Sequence, residues 1–279
     1  MTHYALNLPA VVSFSGGSTS GYLLRKVLDA FGGQPELLRV CFQNTGLEHP
    51  KTLDFIHECE TRWDCRIDWL EYDLSLENNH STTKVDYKTA SRNGEPFSLL
   101  IEKMGYLPNP VARFCTANLK VRTLDRFLKA LPGFEEGWEN AIGLRADEPH
   151  RVHRLKPDSP RDSPIFPLYR AEIGKREIES WWKEQPFRLE LPLGGNIAGN
   201  CVGCFLKSAP RLDTLAREMP EHFNWWIEAE KIELKSKGAG GRFRNDRPGY
   251  ATLVKSAKEQ PLLFDPNAQD DSLPCFCSD

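Results

Sequence analysis

The chain has 279 residues, 40% of them hydrophobic and 27% charged, with a formal net charge of −3 at pH 7. That is enough apolar material for a sizeable core, and the charge balance argues against a wholesale basic nucleic-acid binder while leaving local basic patches open. No apolar run approaches the ~20 residues that span a bilayer, and the N-terminus lacks a basic flank followed by an apolar segment. No membrane contact, no secretory signal and a cytoplasmic location are therefore expected.

The first informative stretch is Val11-Val12-Ser13-Phe14-Ser15-Gly16-Gly17-Ser18-Thr19-Ser20-Gly21. A short apolar run enters a glycine–hydroxyl turn, and a helical pattern leaves it with Leu23, Leu24, Val27, Leu28 and Phe31 on one face. A buried strand ending this way directs backbone N–H groups and the positive end of a helix dipole at one spot, which suits a phosphate. Ser15, Ser18, Thr19 and Ser20 add hydroxyls, while Gly16 and Gly17 let an oxyanion approach the backbone closely. The stretch fits neither the Gly-x-x-x-x-Gly-Lys-Ser/Thr loop nor the dinucleotide fingerprint.

A second strand over residues 36–42 ends in the turn Gln43-Asn44-Thr45-Gly46, and Glu48-His49-Pro50 opens a helix carrying Leu53, Ile56, Cys59 and Trp63. A third strand runs from Ile67 to Tyr72. Strand and helix alternating with short links predict a parallel twisted sheet with helices on both faces, whose ligands sit at the carboxyl ends of the strands. Residues 78–96 read as a polar loop or lid. Pro108 and Pro110 should stop the helix before them, and Thr116 is the expected N-cap of a helix bearing Leu119, Leu124, Phe127 and Leu128. Lys120 projects from its first turns, and Cys115 stands at its start, where the helix dipole favours a thiolate. A further strand over residues 139–143 leads into Leu144-Arg145-Ala146-Asp147-Glu148, and residues 156–164 read as a surface connection.

A helix with Ile173, Ile178, Trp181 and Trp182 follows, then an extended stretch, then helical segments around Leu212, Leu215 and Met219 and around Phe223, Trp226 and Ile232. The basic, glycine-rich run from Lys235 to Arg247 either clamps a phosphate or a nucleic-acid backbone or is a solvated loop. One α/β domain over residues 1–207 and a mainly helical C-terminal region over residues 208–279 are the expected organisation.

Eight cysteines without an export signal do not read as a disulfide framework. Cys41, Cys59 and Cys65 lie in apolar patterns and are expected to be buried small hydrophobes. Cys115, the Cys201-Val202-Gly203-Cys204 motif, Cys275 and Cys277 stand instead in polar or turn-rich surroundings. A Cys-x-x-Cys turn serves zinc, iron–sulfur and redox dithiols alike.

The Ser15–Ser20 stretch resembles the Ser-Gly-Gly-x-x-Ser pyrophosphate loop of the adenine-nucleotide alpha-hydrolase superfamily, and within it the phosphoadenosine phosphosulfate (PAPS) reductase-like branch. Many members carry Lys-Asp where this chain has Ser18-Thr19, so a charge is missing here. The Asn44-Thr45-Gly46 turn matches the one that lies near adenine and ribose, and Gly143-Leu144-Arg145-Ala146-Asp147-Glu148 is similar to the segment whose arginine faces the nucleotide's anionic groups. The resemblance implies ATP, adenylyl sulfate or PAPS as the nucleotide, held by Ser15, Gly16, Gly17, Ser18, Thr19, Ser20, Thr45 and Gly46. It further implies sulfur-transfer or redox chemistry, with Lys120 and Arg145 neutralising charge and Cys275 or Cys277 available as an attacking thiolate.

Cluster-bearing relatives place cysteines comparably, so Cys115, Cys201, Cys204 and a tail thiol such as Cys277 would hold a [4Fe–4S] cluster, with zinc as the alternative metal. A thiol reductant or sulfur donor, and a homo-oligomeric assembly, go with that reading. The chain ends in Pro274-Cys275-Phe276-Cys277 rather than the tail of the sulfate-assimilating enzymes, and it is similar to members from phages and mobile elements. Two rival functions follow: ATP-dependent modification of a nucleic acid, and a nucleotide-binding module without turnover that holds structural zinc.

Overall fold

A computed structural model describes residues 3–74, 81–157, 159–194, 197–232 and 241–259. Its sheet has strand order β4-β3-β2-β1-β5-β6. The strands are β1 (Ala10–Ser13), β2 (Leu38–Asn44), β3 (Asp68–Asp73), β4 (Ser81–Val85), β5 (Trp138–Ile142) and β6 (Asp162–Ile165). All neighbours are parallel except β3 and β4. The helices are α1 (Ser18–Phe31), α2 (Pro50–Arg62), α3 (Glu95–Met104), α4 (Arg122–Lys129), α5 (Pro149–Arg154), α6 (Pro167–Arg170), α7 (Lys175–Lys183), α8 (Ala209–Glu218), α9 (Asn224–Lys231) and α10 (Tyr250–Glu259).

Alternation along the strands builds two layers. Val12, Val40, Phe42 and Trp69 face Leu23 and Leu24 of α1, Leu53 and Ile56 of α2, and Trp182 of α7. Val11, Cys41 and Leu70 face Leu124 and Leu128 of α4. A third cluster joins Phe97 of α3, Phe114 and Leu119 to Leu215, Phe223, Trp226, Phe243 and Tyr250 of the C-terminal region. Cys41, Cys59 and Cys65 are buried, as their surroundings predict. Among the described residues no helix is long and apolar enough to cross a membrane.

Several local expectations are corrected. The stretch expected as a loop from residue 78 contains β4, which adds antiparallel to β3 with Trp69 opposite Val85. Its lysine and threonines are the polar residues an edge strand tolerates. The expected surface connection likewise runs into β6, whose Pro164 sits where the sheet ends and no further ladder bond is needed. Helix α3 stops before the prolines because Gly105 caps it in the left-handed region at φ 72°. Thr116 is not an N-cap: helical turns begin at residue 114, and Thr116–Val121 form a π-turn that leads directly into α4. There Thr123 Oγ1 donates to the Asn118 carbonyl at 2.8 Å. Helix α10, packed on α8 and α9, is an addition to the predicted elements.

Strand β6 is tied down by a buried polar chain. Ser13 Oγ donates to Asn140 Oδ1 at 2.7 Å, Asn140 Nδ2 donates to Asp162 Oδ1 at 3.0 Å, and Trp138 Nε1 reaches the same oxygen at 3.1 Å. Removing the Asp162 carboxylate leaves two buried donors unpaired. Asp162→Ala is therefore expected to lower the stability by about 2 kcal/mol, read as a shift of the urea unfolding midpoint.

Candidate functional site

The strand order reverses at β1: the chain leaves it for β2 on one side and returns to β5 on the other. In open α/β sheets the crevice for a ligand lies at this point, beyond the strand carboxyl ends. The loop between β1 and α1 occupies it. Gly16 takes φ 79°, and a Cβ there would stand 2.7 Å from both Ile56 Cδ1 and Thr52 Cγ2. Gly17 is extended and precedes the first turn of α1, where Ser20 Oγ accepts from Gly17 N at 3.2 Å and donates to Gly17 O at 3.0 Å. Ser15 Oγ lies 2.9 Å from Ser20 Oγ, and Trp182 Nε1 of α7 donates to the Ser18 carbonyl at 2.8 Å. The loop is thus held from both ends, with the N-terminus of α1 facing the crevice.

Arg145 follows β5 and reaches across the switch. Its Nη1 lies 3.3 Å from Thr19 Oγ1, its Nε donates to Asp147 at 2.8 Å, and Glu148 lies 3.5 Å from Nη1. Glu148 also pairs with Arg151. The guanidinium is thereby fixed over the start of α1, beside the loop hydroxyls.

The turn after β2 is closed by carboxylates. Glu48 is buried and accepts from Thr45 N at 3.0 Å, Thr45 Oγ1 at 2.8 Å and Leu47 N at 3.2 Å. Glu71 binds the Asn44 side chain and the N–H and hydroxyl of Ser91. Gly46, at φ 79°, stacks against the Gly94 backbone, and Gly94 N donates to Gly46 O at 2.9 Å. Thr45 and Gly46 thus lie on the same rim as the β1 loop, as predicted. The bracing by Glu48 is local to the turn, and that by Glu71 is a tertiary feature.

Cys201 is buried against this turn. Its Sγ lies 3.2 Å from Thr45 Oγ1, Val202 N donates to Leu47 O at 3.0 Å, and Cys201 bridges Glu48 in a short antiparallel pairing. Burial, and then the Glu48 carboxylate, push its thiol pKa well up, while Lys120 of the π-turn pulls it down. Cys204 N donates to Cys201 O at 3.1 Å, closing the tight turn. Lys207 holds the preceding loop through Nζ bonds to the carbonyls of Ile197 at 2.9 Å and Gly199 at 2.6 Å. Cys115 packs against the same apolar cluster as Cys201 and Cys204. Among the described residues, no group of three or more His, Cys, Asp or Glu side chains is disposed to hold a metal ion. Cys275 and Cys277 lie outside the described residues.

Of the basic run, Lys235 and Lys237 also lie outside the described residues. Phe243 is fully buried, Arg244 pairs with Asp246, and Arg247 Nη1 donates to Lys207 O at 2.7 Å. Its described C-terminal part is a loop with exposed positions, Arg242 among them, that Phe243 and Arg247 anchor to the fold.

A family model of the phosphoadenosine phosphosulfate reductase domain matches residues 9–170, more than half of the chain, and the protein belongs to that family. The match takes in the β1 loop, Thr45, Gly46, Cys115, Lys120 and Arg145; the Cys201–Cys204 turn lies beyond it. Among its relatives is the nin region protein ORF290 of Escherichia phage lambda, 30% identical over 213 residues that cover 75% of this chain and 69% of that one. A crystal structure of phosphoadenylyl-sulfate reductase from Candida auris, in complex with phosphate, is similar at 15% identity and a TM-score of 0.41, over 64% of this chain and 73% of that one.

Two outcomes follow from the rim. Gly16→Ala forces a side chain into a left-handed residue already in contact with Ile56 and Thr52, so it is expected to lower stability by about 1–2 kcal/mol in urea unfolding. His49, whose Nδ1 caps α2 by accepting from Lys51 N at 3.1 Å, stacks on His222 at 5.1 Å between centroids. Burial, then His222 and Lys51, lower its pKa from 6.5 to about 4, against the smaller opposing pull of Asp54 and Glu221. Because the unfolded chain then takes up a proton that the folded one does not, stability should fall as the pH drops from about 6.5 to about 4. His49→Asn, which keeps a capping acceptor, should flatten part of that slope in unfolding midpoints measured across this range.

Proposed function

We propose that this protein is an adenine-nucleotide-dependent enzyme of the PAPS reductase-like branch. In this reading the phosphates lie on the loop of Ser15, Gly16, Gly17, Ser18, Thr19 and Ser20, and the nucleoside lies toward Thr45 and Gly46. The observation that carries it is the contact between Arg145 and Thr19, which sets a fixed cation beside the hydroxyls and the helix N-terminus at the strand-order switch. Backbone N–H groups and a guanidinium converging on one spot stabilise phosphate oxygens and the charge that develops on them.

The finer chemistry is sulfur transfer or reduction. In the transfer form, an acceptor oxygen attacks the α-phosphorus of ATP and pyrophosphate leaves. A sulfur nucleophile from a thiol donor then displaces AMP from the adenylated acceptor. In the reductive form, a thiolate such as Cys275 or Cys277 attacks the sulfur of adenylyl sulfate or PAPS and the nucleotide leaves. A second thiol then releases sulfite as the pair becomes a disulfide. Lys120, which partly offsets the upward push of burial and Glu48 on the Cys201 thiol, supplies the cation on that side of the rim.

A [4Fe–4S] cluster on Cys115, Cys201, Cys204 and Cys277, with zinc as the rival metal, belongs to the same proposal. The described thiols form no three-ligand group, so neither step above is routed through it. Anaerobic purification with iron, sulfide and zinc analysis tests it: about four iron and four sulfide per chain support the cluster, and stoichiometric zinc without sulfide rejects it. The exposed Arg242 favours a second reading, action on a nucleic acid. Salt-sensitive DNA or tRNA binding that Arg242→Ala weakens would support it.

Incubation with ATP, adenylyl sulfate and PAPS under reducing, anaerobic conditions, following AMP, pyrophosphate and sulfite, tests turnover. Nucleotide binding without any of these products would leave a binding module. Arg145→Ala is expected to weaken ATP binding by about 10- to 100-fold, the loss of a charge-assisted contact, with adenosine binding unchanged in the same calorimetric titrations.

A further inference from the structure

Helix α5 begins four residues after Arg145 and buries none of its residues. With the two residues that follow, it reads Pro149-His150-Arg151-Val152-His153-Arg154-Leu155-Lys156: three Lys or Arg, two His and no acid, in a chain whose formal net charge is −3. His150, His153 and Arg154 are exposed and spaced i, i+3, i+4, so they share one face of the helix, and Lys156 is exposed just beyond it. The His153 ring meets the half-buried ring of Tyr169 edge to face, at 6.5 Å between centroids, and exposed Arg170 ends α6 next to it. Of the acids nearby in the chain, Asp147 accepts from Arg145 Nε, Glu148 pairs with both Arg145 and Arg151, and Asp162 is buried in the polar chain beneath β6. Glu172 stands exposed beyond Arg170, and Asp158 lies outside the described residues. Glu148 thereby hooks α5 to the guanidinium that reaches Thr19.

We propose that the α5–α6 face binds a single nucleic-acid strand, with His150, Arg154, Lys156 and Arg170 on the phosphodiester backbone and Tyr169 against a base. The proposal rests on the reading of this protein as one that acts on a nucleic acid, and it sets the strand at the mouth of the rim. A row of exposed cations without acids between them attracts a polyanion through the release of its counterions, a gain that a small anion does not offer. A partly exposed aromatic ring among those cations adds a stacking platform. Bases in a duplex are already stacked on one another, so such a ring favours a single strand. Because Glu148 links α5 to Arg145, a strand on this face lies beside the loop proposed to hold the nucleotide phosphates.

The test measures fluorescence anisotropy of a labelled mixed-sequence oligonucleotide, as single-stranded DNA, single-stranded RNA and duplex DNA, over a range of salt concentrations. The triple variant Arg154→Gln/Lys156→Gln/Arg170→Gln is compared with Lys183→Gln/Lys255→Gln/Lys258→Gln, which removes the same charge from exposed positions on α7 and α10. All six side chains are exposed, so both variants should melt at the wild-type temperature. The first is expected to bind the single strand at least about tenfold more weakly at low salt. Its slope of log affinity against log salt should be shallower by about 2, the loss of three phosphate contacts on a single strand. The second should bind like wild type. Tyr169→Leu should weaken the single strand about tenfold and leave the duplex unchanged. ATP affinity should be the same in all of these proteins. Equal weakening by the two triple variants, or binding lost only in Arg242→Ala, would overturn the assignment of this face while nucleic-acid binding stands. A duplex bound as tightly as the strand would overturn the single-strand assignment. Wild-type protein that binds neither strand nor duplex would sink the nucleic-acid reading itself.

Discussion

The structure depends on a backbone turn that only glycine accommodates. Gly16 must adopt a left-handed conformation where β1 ends, and α2 approaches so closely that no Cβ fits between it and Ile56 and Thr52. That turn sets the N-terminus of α1 over the point where the strand order reverses. The reversal in turn brings the segment after β5, with Arg145, to the first turn of α1. One constraint on one residue thus places the β1 loop, the start of α1 and the Arg145 guanidinium together.

The C-terminal half acts as a brace for this rim. The turn at Cys201 is stitched to the one after β2 through Val202 N–H, the Cys201–Glu48 bridge and the Thr45 hydroxyl. Behind it, Lys207 caps two carbonyls of the incoming loop, and Tyr250 of α10 donates from its hydroxyl to Gly203 O at 2.6 Å. Gly203 must be glycine here, since a Cβ would stand 2.4 Å from Trp226 Nε1. The aromatic cluster of Trp226, Phe243 and Tyr250 is therefore a scaffold for the cysteine turn as well as a core, and a contact running from α10 through that turn ends at Thr45.

Much of the layout of the candidate site was legible in the residues because its signals are local. A strand, a glycine turn and a helix start follow one another in the chain, so their geometry is encoded within a single stretch. Arg145 and the Thr45-Gly46 turn were legible through motif resemblance. Strands β4 and β6 were obscured because edge strands carry polar residues and proline, without the apolar alternation that marks a half-buried strand. The π-turn at Thr116–Val121 was read as an ordinary capped helix, since threonine favours N-caps in general and nothing local signals the extra residue in the turn. Helix α10 finds its partners in α8 and α9, which are remote in sequence.

By itself, then, the order of residues determined the α/β alternation, the glycine turn between β1 and α1, and the buried character of Cys41, Cys59 and Cys65. Each of these rests on periodicity, turn chemistry or a short motif, which act over a few residues. Only the tertiary structure decided that Thr45 meets Cys201, that His49 stacks on His222, and that Glu71 ties the second turn to Ser91. Those facts depend on strand register and helix packing between distant segments, where burial turns an ordinary polar side chain into one that needs a partner.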